Sequence, residues 1–206
     1  MSEKKEILGV LCSGRGSNLQ SIMEAIGAGR IKAPIGVVLV DKPGAKALER
    51  AEKAGIPGIC INRKECATQQ EFEEKLVAEL KAHGVTVVIL AGFMRILSGY
   101  FVRQFPQRIL NIHPSLLPSF GGAHAHRDVL AYGAKVSGCT IHFVDEGMDS
   151  GPIILQTAVP VEEGDDEDTL AARVLVEEHK LYPRAIELLL EGRLTIEGRC
   201  VRISEA

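Results

Sequence analysis

The stretch Val85-Thr-Val-Val-Ile-Leu-Ala91 is apolar at nearly every position, so both faces of an extended chain here are suited to burial. Strands of this kind occur in parallel sheets that helices cover on both sides, whereas half-exposed strands alternate apolar and polar residues. Similar apolar, β-branched runs precede and follow this stretch, and each is short enough for a strand. They are Ile7–Leu11, Ile35–Val40, Gly58–Ile61, Ile109–His113 and Val136–Phe143.

Helical patterns lie between these runs, with apolar residues spaced about 3.6 positions apart on average, as at Phe72, Leu76 and Leu80. The predicted helices are Ser17–Ala28, Ala45–Ala54, Gln69–His83 and Arg127–Tyr132. Alternation of strands and helices is typical of parallel strands joined by crossover helices. The pattern predicts an α/β fold, doubly wound around a mostly parallel central sheet with helices on both faces.

The pattern changes after residue 143. We predict a strand at Ile153–Val159 and a helix at Thr169–Leu190, followed by a short tail after Gly192. No linker, repeat or low-complexity tract interrupts the 206 residues, so a single domain spanning 1–206 is expected.

Composition disfavours several classes of protein. The formal net charge is -3, aromatic residues make up 4%, and Trp is absent, all of which disfavour a nucleic-acid partner. The five cysteines form no C-x-x-C pair, so reduced thiols in the cytoplasm are the simplest interpretation. We expect neither secretion nor a membrane span, because the apolar run Val85–Met94 is far shorter than the roughly 20 residues that cross a bilayer.

Ligands of open α/β sheets bind beyond the carboxyl ends of strands, and three segments in such positions carry candidate chemistry. The first is Cys12-Ser-Gly-Arg-Gly-Ser-Asn-Leu-Gln20, which opens the first helix. Glycines permit close backbone approach and a helix N-terminus attracts anions, so this segment predicts a phosphate site. Two alternatives stay open: a turn capped by Ser17, and a dinucleotide site using Asp41, although Leu19 replaces the third glycine of that motif.

The second segment is Ala91-Gly-Phe-Met-Arg-Ile-Leu97, directly after the most apolar strand. Main-chain groups of this turn could contact a flat heterocycle, with Met94, Ile96 and Leu97 as an apolar wall. Arg95 carries a fork of donors that suits a carboxylate. Packing of the apolar side chains in the core is the alternative.

The third segment is Asn111-Ile-His-Pro-Ser-Leu-Leu-Pro118, in which strand alternation places Asn111 and His113 on one face. An amide and an imidazolium side by side can both donate to one developing oxyanion, as acyl transfer requires. A carboxylate is needed to orient or charge the histidine. Asp149 is the favoured candidate, with Asp145 and Glu146 as rivals, and a structural histidine with turn-capping carboxylates is the alternative.

Other chemically suggestive residues carry weaker signals. His124, His126 and Asp128 resemble a metal-binding fragment only loosely, so we expect polar loop contacts and no metal. Cys12 precedes a helix N-terminus, which could lower the pKa of a thiol, but a small buried residue is the favoured interpretation. No serine-nucleophile motif G-x-S-x-G is assigned.

Four segments together resemble the glycinamide ribonucleotide formyltransferase family, which uses 10-formyltetrahydrofolate in purine synthesis. They are Ser13-Gly-Arg-Gly-Ser-Asn-Leu-Gln20, Ala91-Gly-Phe-Met-Arg-Ile-Leu97, Asn111-Ile-His-Pro-Ser-Leu-Leu-Pro118 and Asp149-Ser-Gly-Pro152. The resemblance runs over nearly the whole chain. Its Asn111–Pro118 segment marks the wider formyltransferase superfamily, whereas the Ser13–Gln20 loop is similar to that of the ribotide-specific subgroup.

The resemblance implies a role for each matching position. Asn111, His113 and Asp149 would be catalytic. The ribotide and its phosphate would contact Arg15, Gly16, Ser17, Asn18, Gly92, Met94, Pro114 and Glu178. The folate would contact Arg95, Ile96, Leu97, Val144 and Asp145. Residues 1–110 would form the half that binds phosphate and ribotide, and residues 111–206 the catalytic half that contacts folate.

Two positions depart from the family pattern. Relatives often carry an arginine where this chain has Gln69, so a ligand contact there is either lost or supplied by Arg63. One branch of the family carries a lysine where this chain has Leu175.

The resemblance implies transfer of the formyl group of 10-formyltetrahydrofolate to the free amine of glycinamide ribonucleotide, through a tetrahedral intermediate. These two small molecules would be the partners, with no nucleic acid, membrane or metal, in a cytoplasmic monomer or homodimer. A 10-formyltetrahydrofolate hydrolase and a non-catalytic nucleotide-binding module are the alternatives.

Overall fold

The computed structural model describes residues 5–205, and the chain divides into two compact units. The first unit ends at Leu110 and the second begins at Asn111. The expectation of a single domain spanning 1–206, with functional halves 1–110 and 111–206, stays a prediction.

Strands and helices alternate along the first unit, as predicted. They are β1 (Leu8–Cys12), α1 (Ser17–Gly27), β2 (Ile35–Val40), α2 (Lys46–Lys53), β3 (Gly58–Cys60), α3 (Gln69–Ala82), β4 (Val87–Leu90) and α4 (Gly99–Gln104). The strand order is β3-β2-β1-β4, and β1 pairs with β2 and β4, and β2 with β3, in the parallel sense. Every residue of β1 and β4 is buried, which explains why neither strand contains a polar residue.

Glycines follow three of the helices of the first unit. Gly29, Gly55 and Gly84 follow the C-caps of α1, α2 and α3, with φ of 73°, 68° and 66°. Glycine reaches this left-handed region without the steric cost that a Cβ atom brings. The sequence prediction did not include α4, whose 6 residues are too few to display a helical period.

The second unit combines strands, helices and a C-terminal hairpin. Strand β5 (Ile109–His113) begins two residues before this unit and ends within it. The other elements are α5 (Ala125–Tyr132), β6 (Val136–Phe143), β7 (Ile153–Pro160), α6 (Glu167–Leu190), β8 (Leu194–Glu197) and β9 (Cys200–Ile203). The strand order is β5-β6-β7-β9-β8. β7 pairs with β9 in the parallel sense, whereas β6 pairs with β7 and β8 with β9 in the antiparallel sense.

Two helices of the second unit begin earlier than predicted. Helix α6 begins at Glu167 rather than Thr169, because the Asp166 side chain caps it by accepting a hydrogen bond from the Thr169 N–H (2.8 Å). Helix α5 begins at Ala125 rather than Arg127. Both differences lie within the two-residue scatter that is normal at helix ends.

The C-terminal tail expected after Gly192 is instead the β8–β9 hairpin. Leu194 and Ile196 of β8 alternate with polar residues, and Gly198 makes the turn with a left-handed φ of 61°. No residue of β8 or β9 is fully buried, which makes the alternation of these short strands hard to distinguish from an irregular tail.

A buried apolar cluster lies beneath the loop that follows β5. Its members come from α5, β6, β7 and α6: Val129, Cys139, Val159, Leu170 and Val174. Phe120, which lies in that loop, packs against this cluster. The loop is therefore held on the core by an aromatic side chain.

The predicted fold class, α/β with a mostly parallel central sheet and helices, is confirmed. The β6–β7 pair and the two strands of the C-terminal hairpin are antiparallel. Within residues 5–205, no helix combines the length and the apolar character needed to cross a membrane.

Candidate active site

The loop between β1 and α1 ends at Gly16, which is the N-cap of α1 and has a left-handed φ of 69°. A Cβ atom at this position would lie 3.0 Å from both the Cα and the Cβ of Ala47 on α2. Glycine is therefore required at this position for two reasons, the backbone conformation and the close approach of α2.

The N-terminus of α1 is open to an anion. Among the residues that the structure describes, no side chain caps this terminus, and its first turn carries no acidic residue. N–H groups at a helix N-terminus carry a partial positive charge, which suits a phosphate. Ser17 is half-buried and Asn18 is buried in this first turn. The alternative of a turn capped by Ser17 is wrong, since Gly16 holds the N-cap position.

Helix α2 anchors the same loop. The Ala47 N–H donates to the Gly14 carbonyl (3.2 Å), and the Arg50 Nε donates to the Arg15 carbonyl (2.9 Å). Arg50 also donates through Nη1 to the Gln20 side chain on α1 (3.1 Å). The backbone of the loop is thus fixed from outside, while the Arg15 side chain is exposed.

The loop after β4 lies alongside the loop after β1. The Ser13 N–H donates to the Gly92 carbonyl (3.0 Å), and the Met94 N–H donates to the Ser13 Oγ (2.8 Å). Gly92 turns the chain with a left-handed φ of 71°. The first unit therefore brings two of the predicted segments together, at the carboxyl ends of neighbouring strands where open α/β sheets bind ligands.

Two large apolar side chains of the second segment face solvent. Met94 is 68% exposed and Ile96 is 71% exposed, although such side chains are usually buried. Leu97, by contrast, is buried. Packing in the core therefore explains Leu97, but it does not explain Met94 or Ile96.

Arg95 forms an ion pair with Asp41. The Arg95 Nε donates to the Asp41 Oδ2 at 2.6 Å, and the Asp41 side chain is 2% exposed. The carboxylate that a dinucleotide site would use for a ribose is therefore buried and already paired. Together with Leu19 at the third glycine position, this pairing disfavours the dinucleotide alternative.

A polar cluster supports the backbone of residues 95–98. Gln69 donates through Nε2 to the Ile96 carbonyl (3.2 Å) and to the buried Glu73 carboxylate (2.7 Å), which also accepts from the Ser98 N–H (2.8 Å). The Arg63 Nε donates to the Gln69 Oε1 at 3.3 Å. Gln69, where the resemblance implies an arginine, thus holds this loop, and Arg63 lies beside it.

Asn111, His113 and Asp149 come together in the second unit, where His142 joins them. The His113 Nδ1 lies 3.5 Å from the Asp149 Oδ2, and the Asn111 Nδ2 lies 3.1 Å from the His142 Nε2. The His142 Nε2 is in turn 4.0 Å from the Asp149 Oδ1. Both histidine side chains are buried and the Asp149 side chain is 16% exposed. The four side chains form one polar cluster with limited access to water.

The hydrogen bond to the Phe120 carbonyl fixes the orientation of His113. Its Nε2 lies 2.9 Å from that carbonyl oxygen, which can only accept, so Nε2 carries a proton. Nδ1 is therefore the nitrogen of His113 that remains for chemistry. Its 3.5 Å separation from Asp149 is longer than a hydrogen bond, so a proton on Nδ1 can also point toward a substrate oxygen.

A neutral His142 orients the amide of Asn111. The His142 Nδ1 donates to the Phe143 carbonyl (2.8 Å), so the neutral ring offers Nε2 as an acceptor for the Asn111 N–H. Burial lowers the pKa of His142, which favours this neutral form. The second N–H of Asn111 is then left to donate elsewhere. Sequence reasoning missed His142, which no spacing signal singles out.

Asp149 lies in the loop of residues 144–151, which we call the Asp149 loop. It has a left-handed φ of 50°, and its Oδ2 accepts a hydrogen bond from the Gly122 N–H (2.8 Å). Its rival Asp145 instead accepts from the Gly147 N–H (3.0 Å) and from the Ser150 Oγ (2.7 Å), so it builds the turn. Glu146 is exposed. Asp149 is the carboxylate of this loop that faces His113.

A buried polar network holds the loop of residues 114–120. Thr140 on β6 donates to the Ser115 carbonyl (2.7 Å) and accepts from the Leu117 N–H (3.1 Å). Gln156 on β7 donates to the Leu117 carbonyl and to the Thr140 Oγ1, each at 2.9 Å. The Leu117–Pro118 peptide is cis. These bonds place the loop that carries the Phe120 carbonyl, and hence the orientation of His113.

Three further residues that were predicted to contact the substrates lie in the second unit. Pro114 directly follows β5, and Val144 opens the Asp149 loop. Glu178 is buried on α6. Burial raises the pKa of the Cys139 thiol on β6 to about 12, and the charge of Glu178 adds to this rise.

The residues with weaker signals in the sequence do not come together in one site within the described part of the chain. Burial raises the pKa of the Cys12 thiol to about 12, so Cys12 is the small buried residue that the sequence favoured. Asp128 pairs with Arg127 (2.9 Å), and burial lowers the pKa of His126. Within residues 5–205, His, Cys, Asp and Glu side chains form no group of three or more that could hold a metal ion.

The chain is similar to several known proteins. The formyl transferase family model matches residues 7–186. Phosphoribosylglycinamide formyltransferase of Escherichia coli strain K12 is 44% identical over 185 residues, covering 90% of this chain and 87% of that protein. A crystal structure of glycinamide ribonucleotide transformylase 1 from Symbiobacterium toebii matches with a TM-score of 0.96 at 50% identity, covering 98% of this chain and 95% of that one.

Longer relatives match as well. The trifunctional purine biosynthetic protein adenosine-3 of Drosophila melanogaster is 46% identical over 198 residues, which is 95% of this chain. This chain spans only 15% of the length of that relative.

Proposed function

The chain belongs to the formyl transferase family, and we propose that it transfers the formyl group of 10-formyltetrahydrofolate to the free amine of glycinamide ribonucleotide. Relatives that match over nearly their whole length are named for this ribotide, and others for purine biosynthesis. The observation that carries the proposal is the cluster of Asn111, His113 and Asp149. It offers two hydrogen-bond donors and a carboxylate to a single acyl group.

Asn111 and His113 act on the carbonyl oxygen of the formyl group. When the amine nitrogen attacks the formyl carbon, the C=O electron pair moves to oxygen and creates an oxyanion. The Asn111 N–H that His142 leaves unused and a proton on the His113 Nδ1 donate to this oxyanion. Both donors are held in place before the substrate arrives, so they need no rearrangement when the charge develops.

Asp149 balances charge and moves the proton. Its carboxylate lies 3.5 Å from the His113 Nδ1, so a negative charge is opposite the nitrogen that donates to the oxyanion. It also accepts, through water, the proton that the attacking amine loses. The oxyanion then returns its electron pair, the bond from carbon to N10 of the folate breaks, and N10 takes up a proton. One proton thus leaves the amine and one reaches the folate.

Further residues are assigned to the binding of the two substrates. We assign the 5′-phosphate of the ribotide to the α1 N-terminus with Arg15, Gly16, Ser17 and Asn18. Gly92, Met94, Pro114 and Glu178 are assigned to the rest of the ribotide, and Arg95, Ile96, Leu97, Val144 and Asp145 to the folate. The exposed Ile96 supports the assignment to the folate, because a flat heterocycle would cover apolar surface that is otherwise left in water.

The loop at α1 separates this function from its alternatives. A 10-formyltetrahydrofolate hydrolase could use the same cluster with water as acceptor, but water needs no phosphate anchor. A binding module without catalysis needs the anchor but not a buried pair of donors beside a carboxylate. The transferase is the function that uses both features.

The proposed partners are the two small molecules, with no nucleic acid or membrane, in a cytoplasmic monomer or homodimer. The cysteines of the described chain are all free thiols, which suits a reducing compartment.

Absorbance of 10-formyltetrahydrofolate, followed with and without glycinamide ribonucleotide, tests the proposed function. Loss of the formyl group that requires the ribotide supports the transferase. Loss at the same rate without the ribotide would point to the hydrolase. Ribotide binding with no loss of formyl group would point to the binding module.

Replacing Ser17 and Asn18 together with alanine is expected to raise the Kd for glycinamide ribonucleotide by roughly tenfold, because hydrogen bonds to a charged phosphate are lost. The Kd for the folate should stay within about twofold, since these side chains lie in the first turn of α1, which is assigned to the phosphate. Titration of each ligand measures both constants, with Ser204→Ala as the control variant. Equal losses for both ligands would mean that the loop does not bind the phosphate.

Replacing Arg63 with alanine is expected to raise the KM for 10-formyltetrahydrofolate by roughly fivefold, on the premise that Arg63 replaces the arginine of relatives. Arg63 lies beside Gln69, which holds the Ile96 carbonyl in the proposed folate segment. The KM for the ribotide should not change. Lys64→Ala, which removes the neighbouring charge, is the matched control. An unchanged folate KM in Arg63→Ala would show that the contact at Gln69 is lost in this chain.

A further inference from the structure

The C-terminal hairpin reaches the loop that carries Asp149. Arg199, at the turn between β8 and β9, donates from Nη2 to the Ser150 carbonyl at 2.7 Å. The donor and acceptor are 49 residues apart in the chain. The hairpin lies beyond residues 7–186, which the family model matches. An element outside the matched core thus contacts the residue next to Asp149.

The register of the strands places this arginine. β7 and β9 pair in the parallel sense through Ile153 and Cys200. Arg199 directly precedes Cys200, and Ser150 lies three residues before Ile153. The pairing therefore brings the start of β9 alongside the end of the Asp149 loop.

The conformation of Asp149 makes its support important. A φ of 50° lies in the left-handed region, which costs energy for a residue with a Cβ atom and persists only where neighbours impose it. At the C-terminal end of the loop, a Cβ atom on Gly151 would lie 1.8 Å from the Phe143 carbonyl oxygen, so the chain is tightly packed there. Inside the loop, Asp145 ties together Gly147 and Ser150.

The Ser150 carbonyl is where the hairpin adds its support. A guanidinium donates a charge-assisted hydrogen bond, which is stronger than a bond between neutral groups. Fixing the peptide between Ser150 and Gly151 limits rotation of the backbone next to Asp149. The direction of the Asp149 carboxylate toward His113, at 3.5 Å, depends on that backbone.

We propose that Arg199 is a positioning residue for the reaction, which holds the Asp149 loop through the Ser150 carbonyl and so keeps the Asp149 carboxylate opposite His113. This role rests on the proposed function of Asp149. Arg199 itself acts through another residue and is not assigned to either substrate.

Kinetics of Arg199→Ala, Arg199→Lys and Arg202→Ala in the full chain test this role. Arg202 is the matched control, because it is on the same hairpin and pairs with Glu197 at the surface. We expect Arg199→Ala to lower kcat by about fivefold with both KM values within about twofold, the size of one lost hydrogen bond. Arg199→Lys, which keeps a charged donor, should recover most of this loss, and Arg202→Ala should match the wild type. A kcat of Arg199→Ala equal to that of Arg202→Ala would overturn the proposal.

A double-mutant cycle with Asp149→Asn decides whether Arg199 acts through Asp149. If it does, Arg199→Ala lowers kcat in the wild type but changes it less than about 1.5-fold in the Asp149→Asn background. An equal loss in both backgrounds would overturn the proposal, because Arg199 would then act by another route.

Hydrogen exchange of peptides covering residues 144–151 separates failure of this inference from failure of the proposed function. Exchange should be faster in Arg199→Ala than in Arg202→Ala, whatever reaction the protein catalyses. Unchanged exchange in a chain that transfers formyl groups would overturn the role of Arg199 alone. Absence of formyl transfer by the wild type would overturn the proposed function, and with it the catalytic consequence of Arg199.

Discussion

Replacing His113 with alanine is expected to lower kcat by about 10² or more, the scale on which removal of one oxyanion donor acts. His113 is 5% exposed, and its Nε2 is held by the Phe120 carbonyl, so Nδ1 is fixed in direction before substrate binds. Such a donor strengthens as negative charge develops on oxygen. The KM for glycinamide ribonucleotide should change little, since the interaction is made mainly in the transition state.

Asn111→Ala should give a loss of similar size, because the amide is the second donor to the same oxygen. His83→Ala, a histidine at the end of α3 in the first unit, is the control and should keep wild-type kcat. Thermal unfolding of each variant separates a loss of catalysis from a loss of fold. Wild-type turnover in either His113→Ala or Asn111→Ala would contradict the assignment of these residues.

Replacing Asp149 with asparagine is expected to lower kcat by about 10² or more, the lower end of what a positioned acid or base contributes. Asparagine preserves the shape of the side chain, can still accept from the Gly122 N–H, and tolerates a left-handed backbone well. The substitution therefore removes the charge opposite His113 and leaves the loop in place. Asp149→Ala would confound these effects, because alanine is poorly suited to a φ of 50°.

Glu146→Gln is the matched control for this variant. It removes one negative charge from the same loop at an exposed position, so kcat should stay within about twofold of the wild type. The kinetics of both variants at one pH and ionic strength measure the difference. Equal kcat for Asp149→Asn and the wild type would show that the carboxylate has no part in proton transfer.

Much of the fold could be predicted from local patterns in the sequence. The strands β2, β5 and β6 begin and end at the predicted residues, because each is an apolar run of the length of a strand that is followed by a loop. The family to which the chain is similar was also readable, since its motifs are contiguous and lie at strand ends. Alternation along β5 predicted that the side chains of Asn111 and His113 lie on one face of the strand, and both belong to the same cluster in the structure.

Features that depend on contacts between residues far apart in the sequence could not be predicted from the sequence. His142 joins the cluster only because β6 lies next to β5, and nothing in its own sequence neighbours signals that role. Pairing of Asp41 with Arg95 and packing of α2 against Gly16 are likewise tertiary. The β8–β9 hairpin was not predicted, because the sequence of its short, half-exposed strands resembles that of a polar tail. The choice among Asp149, Asp145 and Glu146 could not be made from the sequence. It depends on the folded loop, in which Asp145 accepts the hydrogen bonds that form the turn.

Supplying 10-formyltetrahydrofolate with carbon-13 in the formyl group, together with glycinamide ribonucleotide and the purified protein, tests the proposed function most directly. Carbon-13 NMR follows where the labelled carbon goes. Transfer predicts that the folate signal falls while the signal of a formamide on the ribotide rises by the same amount, at a rate that Asp149→Asn and His113→Ala both lower. Appearance of the label as formate, with the ribotide unchanged, would contradict formyl transfer and identify a hydrolase.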